Sequence, residues 1–230
     1  MKLLNWIVGL CFLLTGCTGP MFKRQELSVN GVSIGGVSGL SILVEAGVWA
    51  GSPQVVQRIT PVKVTIYNNS GKLLGIQYSN FCIRGIGSNS FYAAMPPYEI
   101  RGTAENPSIV LPYPFPIKSE IEYNQKFQIV HYCARMYPDL PACEMNLELD
   151  LDYYTRYYSR YARIRLPEVE MLSKLIPEGV LGNEGYISGY LYFEKIASTE
   201  KQMEFCVDLF DAKSKLRIGS IRMPFCVIKN

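Results

Sequence analysis

Apolar side chains recur at every second position along much of the chain, the period of a strand with one face buried. Val62, Val64 and Ile66 alternate with Lys63, Thr65 and Tyr67; Asn68-Asn69-Ser70-Gly71 then supplies a turn, and Leu74, Ile76 and Tyr78 resume the alternation. This grammar predicts a β-hairpin. A short strand at residues 91–94 ends at Pro96-Pro97. Toward the other end, residues 185–195 are aromatic and β-branched, and Met203, Phe205, Val207 and Leu209 alternate with polar partners. Asp211-Ala212-Lys213-Ser214 turns the chain into a last strand from 216 to about 227. Pro224 has no N–H to donate, which places that strand at an edge or a bulge. Short strands at both ends predict a mainly β fold over residues 40–230, an immunoglobulin-like antiparallel β-sandwich.

The middle follows another pattern. Pro112, Pro114 and Pro116 make an extended crossing, and residues 143–153 set Met145, Leu147, Leu149 and Leu151 against Glu144, Asn146, Glu148, Asp150 and Asp152. The period then becomes helical: Tyr153, Tyr157 and Tyr161 stand four apart, with Tyr154 and Tyr158 in the neighbouring row. A further helix is expected from Pro167, with Val169, Met171, Leu172, Leu175 and Ile176 on one face and a stop at Pro177. Residues 113–182 therefore read as a partly helical insertion between the halves of the sandwich.

Before the first strand, expected at residues 40–49, Gly31, Gly35 and Gly39 stand four apart, a spacing that permits close helix packing in a membrane. Val and Ser fill the gaps and favour a supple linker running into the strand. Further back, Met1-Lys2 is a short positive region, residues 3–14 are apolar apart from Asn5 and Gly9, and Leu14-Thr15-Gly16-Cys17 follows. An apolar stretch this short fits a cleaved signal over residues 1–16 better than a span. The four residues match the lipobox of bacterial lipoproteins, in which the cysteine thiol takes a diacylglyceryl group. Several acyl tails on Cys17 anchor a protein stably where one would be marginal. Residues 17–39 become a lipidated N-terminus and tether, and Thr18, not aspartate, resembles an outer-membrane address.

Composition narrows the function classes. Apolar content of 48% with 19% charged residues is that of a globular chain. Removing Lys2 with the signal takes the 23 basic side chains to 22 against 20 acidic ones. So small a balance offers no field for nucleic acid. His131 is the single histidine, which removes a multi-histidine metal site and leaves a serine triad resting on one residue. Glu148, Asp150 and Asp152 stand at alternate strand positions, about 7 Å apart along one face. That spacing reads as a solvated face rather than a cation site. No metal or cofactor is implied, and no catalytic residue is assigned.

Two features carry candidate chemistry. Cys133 and Cys143 flank a turn-rich loop that folds back either to bridge them or to leave two half-buried thiols; a bridge there would stabilise by roughly 2–3 kcal/mol. Tyr153, Tyr154, Arg156, Tyr157, Tyr158, Arg160 and Tyr161 form a run whose rings and guanidinium groups suit a partner surface. The same run also suits a helix that lays its rings on the sandwich.

The sequence resembles a group of uncharacterised bacterial envelope lipoproteins. The resemblance rests on Ile59-Thr60-Pro61-Val62-Lys63-Val64, Asn68-Asn69-Ser70-Gly71, Tyr78-Ser79-Asn80-Phe81, Ala94-Met95-Pro96-Pro97, Leu166-Pro167, Pro177-Glu178-Gly179-Val180-Leu181 and Gly189-Tyr190-Leu191-Tyr192-Phe193. It implies a sandwich like those of immunoglobulin or stress-protein β-domains, and no activity. The expectation is a lipid-anchored, non-enzymatic binding or scaffolding module with an envelope protein partner. An accessory lipoprotein of an assembly or secretion system is the alternative, and a hydrolase of envelope polymers a third. Cys17→Ser is expected to abolish acyl labelling and leave the precursor uncleaved by the lipoprotein peptidase; normal processing would contradict the lipobox.

Overall fold

Inner-face side chains at alternate positions line two facing sheets in the computed structural model, which describes residues 31–102, 107–110, 116–143, 157 and 169–226. In chain order the strands are β1 (Val32–Val37), β2 (Leu40–Ala46), β3 (Ile59–Asn68), β4 (Leu74–Ile76), β5 (Phe81–Gly85), β6 (Phe91–Ala93), β7 (Glu99–Gly102) and β8 (Pro107–Val110). They continue as β9 (Glu122–Tyr123), β10 (Phe127–Ile129), β11 (Gly179–Leu181), β12 (Gly185–Glu194), β13 (Gln202–Asp211) and β14 (Arg217–Cys226). Two short helices, α1 (Pro53–Arg58) and α2 (Val169–Lys174), complete the set with single 3-10 turns at Tyr78–Asn80 and His131–Cys133.

One antiparallel sheet runs β1-β2-β3-β12-β9; the other runs β10-β11-β4-β13-β5-β6, with β14 along the other edge of β13. Ile42, Val44, Val64, Ile66, Leu191 and Phe193 from the first sheet share one buried core with Leu74, Ile76, Phe81, Phe205, Val207 and Met223 from the second. The protein is a β-sandwich, with β7 and β8 as a separate two-stranded ribbon. β14 pairs with β13 alone and carries Pro224 opposite Glu204, the edge position that its missing N–H requires. No helix among the described residues is long and apolar enough to cross a membrane.

Three sequence expectations are corrected. The alternation on either side of Asn68-Asn69-Ser70-Gly71 does not close a hairpin: β3 pairs with β2 and β12, whereas β4 pairs with β11 and β13 in the opposite sheet. The reason lies at Asn68, which is fully buried. Its amide nitrogen donates at 2.8–3.1 Å toward the carbonyls of Lys72, Leu181 and Gly182, and its amide oxygen accepts from the Ser70 N–H at 3.0 Å and hydroxyl at 2.7 Å. The side chain thereby fastens the crossing between sheets to the turn that leads into β12.

The glycine-rich segment is not all tether. Residues 32–37 form β1, joined to β2 by Ser38 (φ 50°) and Gly39 (φ 79°). Two successive positive φ values make the tight turn that matches strand twist. A side chain at Gly35 would put its Cβ 2.3 Å from Ile221 Cγ2, so the glycine lets β1 lie close over β14.

Nor do the described residues of 113–182 stand apart from the sheets. The predicted helical face is present in part, with Met171, Leu172, Leu175 and Ile176 buried while Val169 is exposed. β9 joins the first sheet, however, and β10 and β11 extend the second. Strands of two or three residues leave no readable period. Asn68→Ala should remove the side-chain bonds to the Lys72, Leu181 and Gly182 carbonyls and cost about 2–4 kcal/mol. Urea denaturation would show this as a lower midpoint with an unchanged slope, and an unchanged midpoint would remove Asn68 as the lock of the crossing.

Candidate functional site

Among the described residues the sandwich is closed at the Asn68 end and open at the other. There the last residues of β2 and the first of β3 face the start of β13 and the end of β14, and the sheets part around a cavity of about 640 Å³. Volumes of roughly 300–1,000 Å³ are those of small-molecule sites. Val44, Val62, Ile83, Met203, Phe205 and Phe225 provide apolar walls. These side chains face inward because strand alternation demands it, and no facing residue among those described fills the space between them.

The rim is held by polar contacts from the connection after β12. The Ile196 N–H donates to Thr60 Oγ1 at 3.1 Å, and Lys195 Nζ donates to the Val56 carbonyl. Buried Glu200 fixes the following turn by accepting from the Ser88 hydroxyl at 2.7 Å and the Tyr92 hydroxyl at 3.0 Å. Among the described residues Lys195 is the single charged side chain lining the cavity, accompanied by Thr60 and Ser198. The arrangement can take an apolar chain inside and a polar or anionic group at the mouth.

The residues singled out from sequence fall elsewhere. Cys17, Tyr153, Tyr154, Arg156, Tyr158, Arg160 and Tyr161 lie outside the described residues, as do Glu148, Asp150 and Asp152. Tyr157 is half-buried against the core, and its hydroxyl donates to the Ala94 carbonyl, which is an intramolecular packing role. His131 is exposed at the start of its 3-10 turn. Among the described residues, no three His, Cys, Asp or Glu side chains converge as metal ligands.

Cys133 and Cys143 do not bridge; both are buried free thiols. The loop between them does fold back, through backbone pairing: the Cys143 N–H donates to the Ile129 carbonyl and the Ile129 N–H to the Pro141 carbonyl, each at 2.8 Å. The sulfurs are directed into different apolar clusters. Cys133 enters the main core, where its Sγ lies 3.4 Å from the Tyr98 hydroxyl, and burial pushes its thiol pKa up. Cys143 packs with Val180 and Ala212.

Sequence reading missed a second polar centre. Glu178 is fully buried; its Oε1 accepts the Tyr78 N–H at 2.9 Å and its Oε2 accepts the Tyr132 hydroxyl at 2.6 Å. The Tyr78 hydroxyl reaches the Ile176 carbonyl at 3.2 Å and the Tyr98 hydroxyl at 3.4 Å. Burial, with the Glu178 charge second, raises the Tyr78 pKa well above the usual phenol value, so the hydroxyl stays a donor. The available signal was a lone carboxylate between two apolar pairs, Leu175-Ile176 and Val180-Leu181. The network spends its groups on bracing and leaves the cavity as the site open to a ligand. Neither a protein family, nor a curated protein, nor a solved structure matches this chain.

Proposed function

We propose that this chain is a lipid-anchored binding module of the bacterial cell envelope that holds the apolar tail of a single-chain amphiphile. The apolar cavity between the sheets carries the reading. Its walls suit an acyl-type chain, and Lys195 at the mouth suits an anionic head group. Gly31 lines the same opening and stands fourteen positions after Cys17. Fourteen residues of extended chain reach at most about 50 Å. An anchor at Cys17 would therefore keep the mouth within that distance of the bilayer surface. The outer-membrane address implied by Thr18 belongs to the same proposal. Binding is favoured over catalysis because the buried carboxylates Glu178 and Glu200 are already engaged by tyrosine and serine donors that position backbone.

Titrating the chain without residues 1–17 with a fluorescent polyene fatty acid should give saturable binding of one probe, with Kd on the order of micromolar. Ala46→Trp, which fills the cavity from its rim, should abolish the signal while leaving the circular dichroism of the sheets unchanged. Lys195→Glu should weaken binding by about tenfold, since it sets like charge against the carboxylate. Absence of saturable binding, or full binding in Ala46→Trp, would overturn the proposal.

A further inference from the structure

The outer face of the second sheet holds a pair of thiols that sequence distance conceals. β5 and β13 are antiparallel, and Cys82 stands directly opposite Cys206. Phe81 and Ile83 on β5, and Phe205 and Val207 on β13, point into the core, so both cysteines belong to the opposite face. The Ile86 N–H donates to the Gln202 carbonyl at 2.8 Å, which sets the phase of the ladder. Four residues along from that contact, Cys82 and Cys206 again form a hydrogen-bonded pair of positions. Such pairs have Cα atoms about 5.5 Å apart, inside the disulfide range of roughly 4.4–6.8 Å.

Both cysteines line a groove of about 190 Å³, together with Arg84, Arg222, Asp208 and Asn80. Cys82 is partly exposed and Cys206 is buried. Arg222 stands opposite Cys206 on β14 and pairs with Glu204 at 3.2 Å, while Glu204 Oε2 lies 3.4 Å from Cys206 Sγ. The neighbouring Cys206 thiol, with the Arg84 charge assisting against burial, lowers the Cys82 thiol to about 7. The Cys82 thiol, burial and Glu204 together raise the Cys206 thiol. One thiol of the pair is thus readily ionised and partly exposed, and the other is protonated and withdrawn, the division of labour of an attacking and a resolving cysteine.

We propose that Cys82 and Cys206 form a thiol–disulfide exchange site that takes oxidising equivalents from a glutathione-type disulfide. The Cys82 thiolate attacks one donor sulfur; the donor S–S bond breaks, and the other sulfur leaves as a thiolate. Cys206 then gives its proton to Glu204 and attacks Cys82 Sγ. The new S–S bond forms as the mixed disulfide breaks, and the second donor thiolate leaves. One donor disulfide is reduced to two thiols while two electrons leave the Cys82–Cys206 pair. The site is independent of the cavity and of any ligand held there.

Incubating the reduced full chain with oxidised glutathione, followed by acid quench, alkylation and peptide mapping by mass spectrometry, tests the site. The wild type should yield a linked Cys82–Cys206 peptide and little glutathione adduct. In Cys206→Ser the adduct should persist on Cys82 at about tenfold the wild-type level, because the resolving thiol is gone. In Cys82→Ser, Cys206 should stay free. Separate alkylation of Cys82 and Cys206 in the oxidised wild type would overturn the proposal without reference to any variant's folding. Equal adduct on Cys82 in the wild type and in Cys206→Ser would do the same.

Discussion

Burying a carboxylate without water costs several kcal/mol unless donors meet it, and Glu178 imposes that constraint at the centre of the fold. Its oxygens are met by the Tyr78 N–H, in the 3-10 turn between β4 and β5, and by the Tyr132 hydroxyl, in the 3-10 turn after β10. The Glu178 carbonyl accepts the Val130 N–H at 3.0 Å, and the next residue opens β11. Three pieces of chain from the middle and the first half must therefore be in place together. Gly179 follows because a Cβ there would stand 2.3 Å from the Gln128 carbonyl oxygen. The acid thus makes residues 116–143 and 169–181 part of the sandwich.

The two ends of the sandwich differ for a related reason. Polar side chains close one end: Asn68 ties the crossing from β3 to β4 onto the turn before β12. Midway, Met95 donates its N–H to the Tyr192 carbonyl at 2.5 Å, and Ala94 bridges Phe193, so the chain leaving β6 is stitched across to β12. At the far end the facing walls are apolar and the polar contacts lie on the rim, which leaves volume between the sheets. The dithiol lies outside this contrast, on a face where side chains answer to cross-strand neighbours alone.

Much of this was legible from period two. Residues 185–195, the Met203-to-Leu209 alternation, the turn at Asp211 and the edge position of Pro224 all occur where the alternation puts them. Which sheet a strand joins was not legible, because alternation reports a buried face and not the neighbour that covers it. That is why the β3–β4 segment reads as a hairpin. β10 and β11 are three residues each, too short to show a period, and Gly35 looked like a linker residue because its reason lies in Ile221 on another sheet. The cysteines show the limit most directly. Cys133 and Cys143 are close in sequence and diverge into separate clusters. Cys82 and Cys206 are 124 positions apart in the numbering and share one register position. The cavity, which depends on how the two sheets part, has no sequence signature.

The claim that the middle of the chain belongs to the sandwich rests on cooperativity, which native-state hydrogen exchange reads residue by residue. The amides of β10 (Phe127–Ile129) and β11 (Gly179–Leu181) should exchange only through the global opening that exposes β3 (Ile59–Asn68) and β12 (Gly185–Glu194). A common opening free energy with the same denaturant dependence is the predicted result. Exchange of β10 and β11 through a separate, lower-energy opening would contradict it and return residues 113–182 to the standing of an insertion.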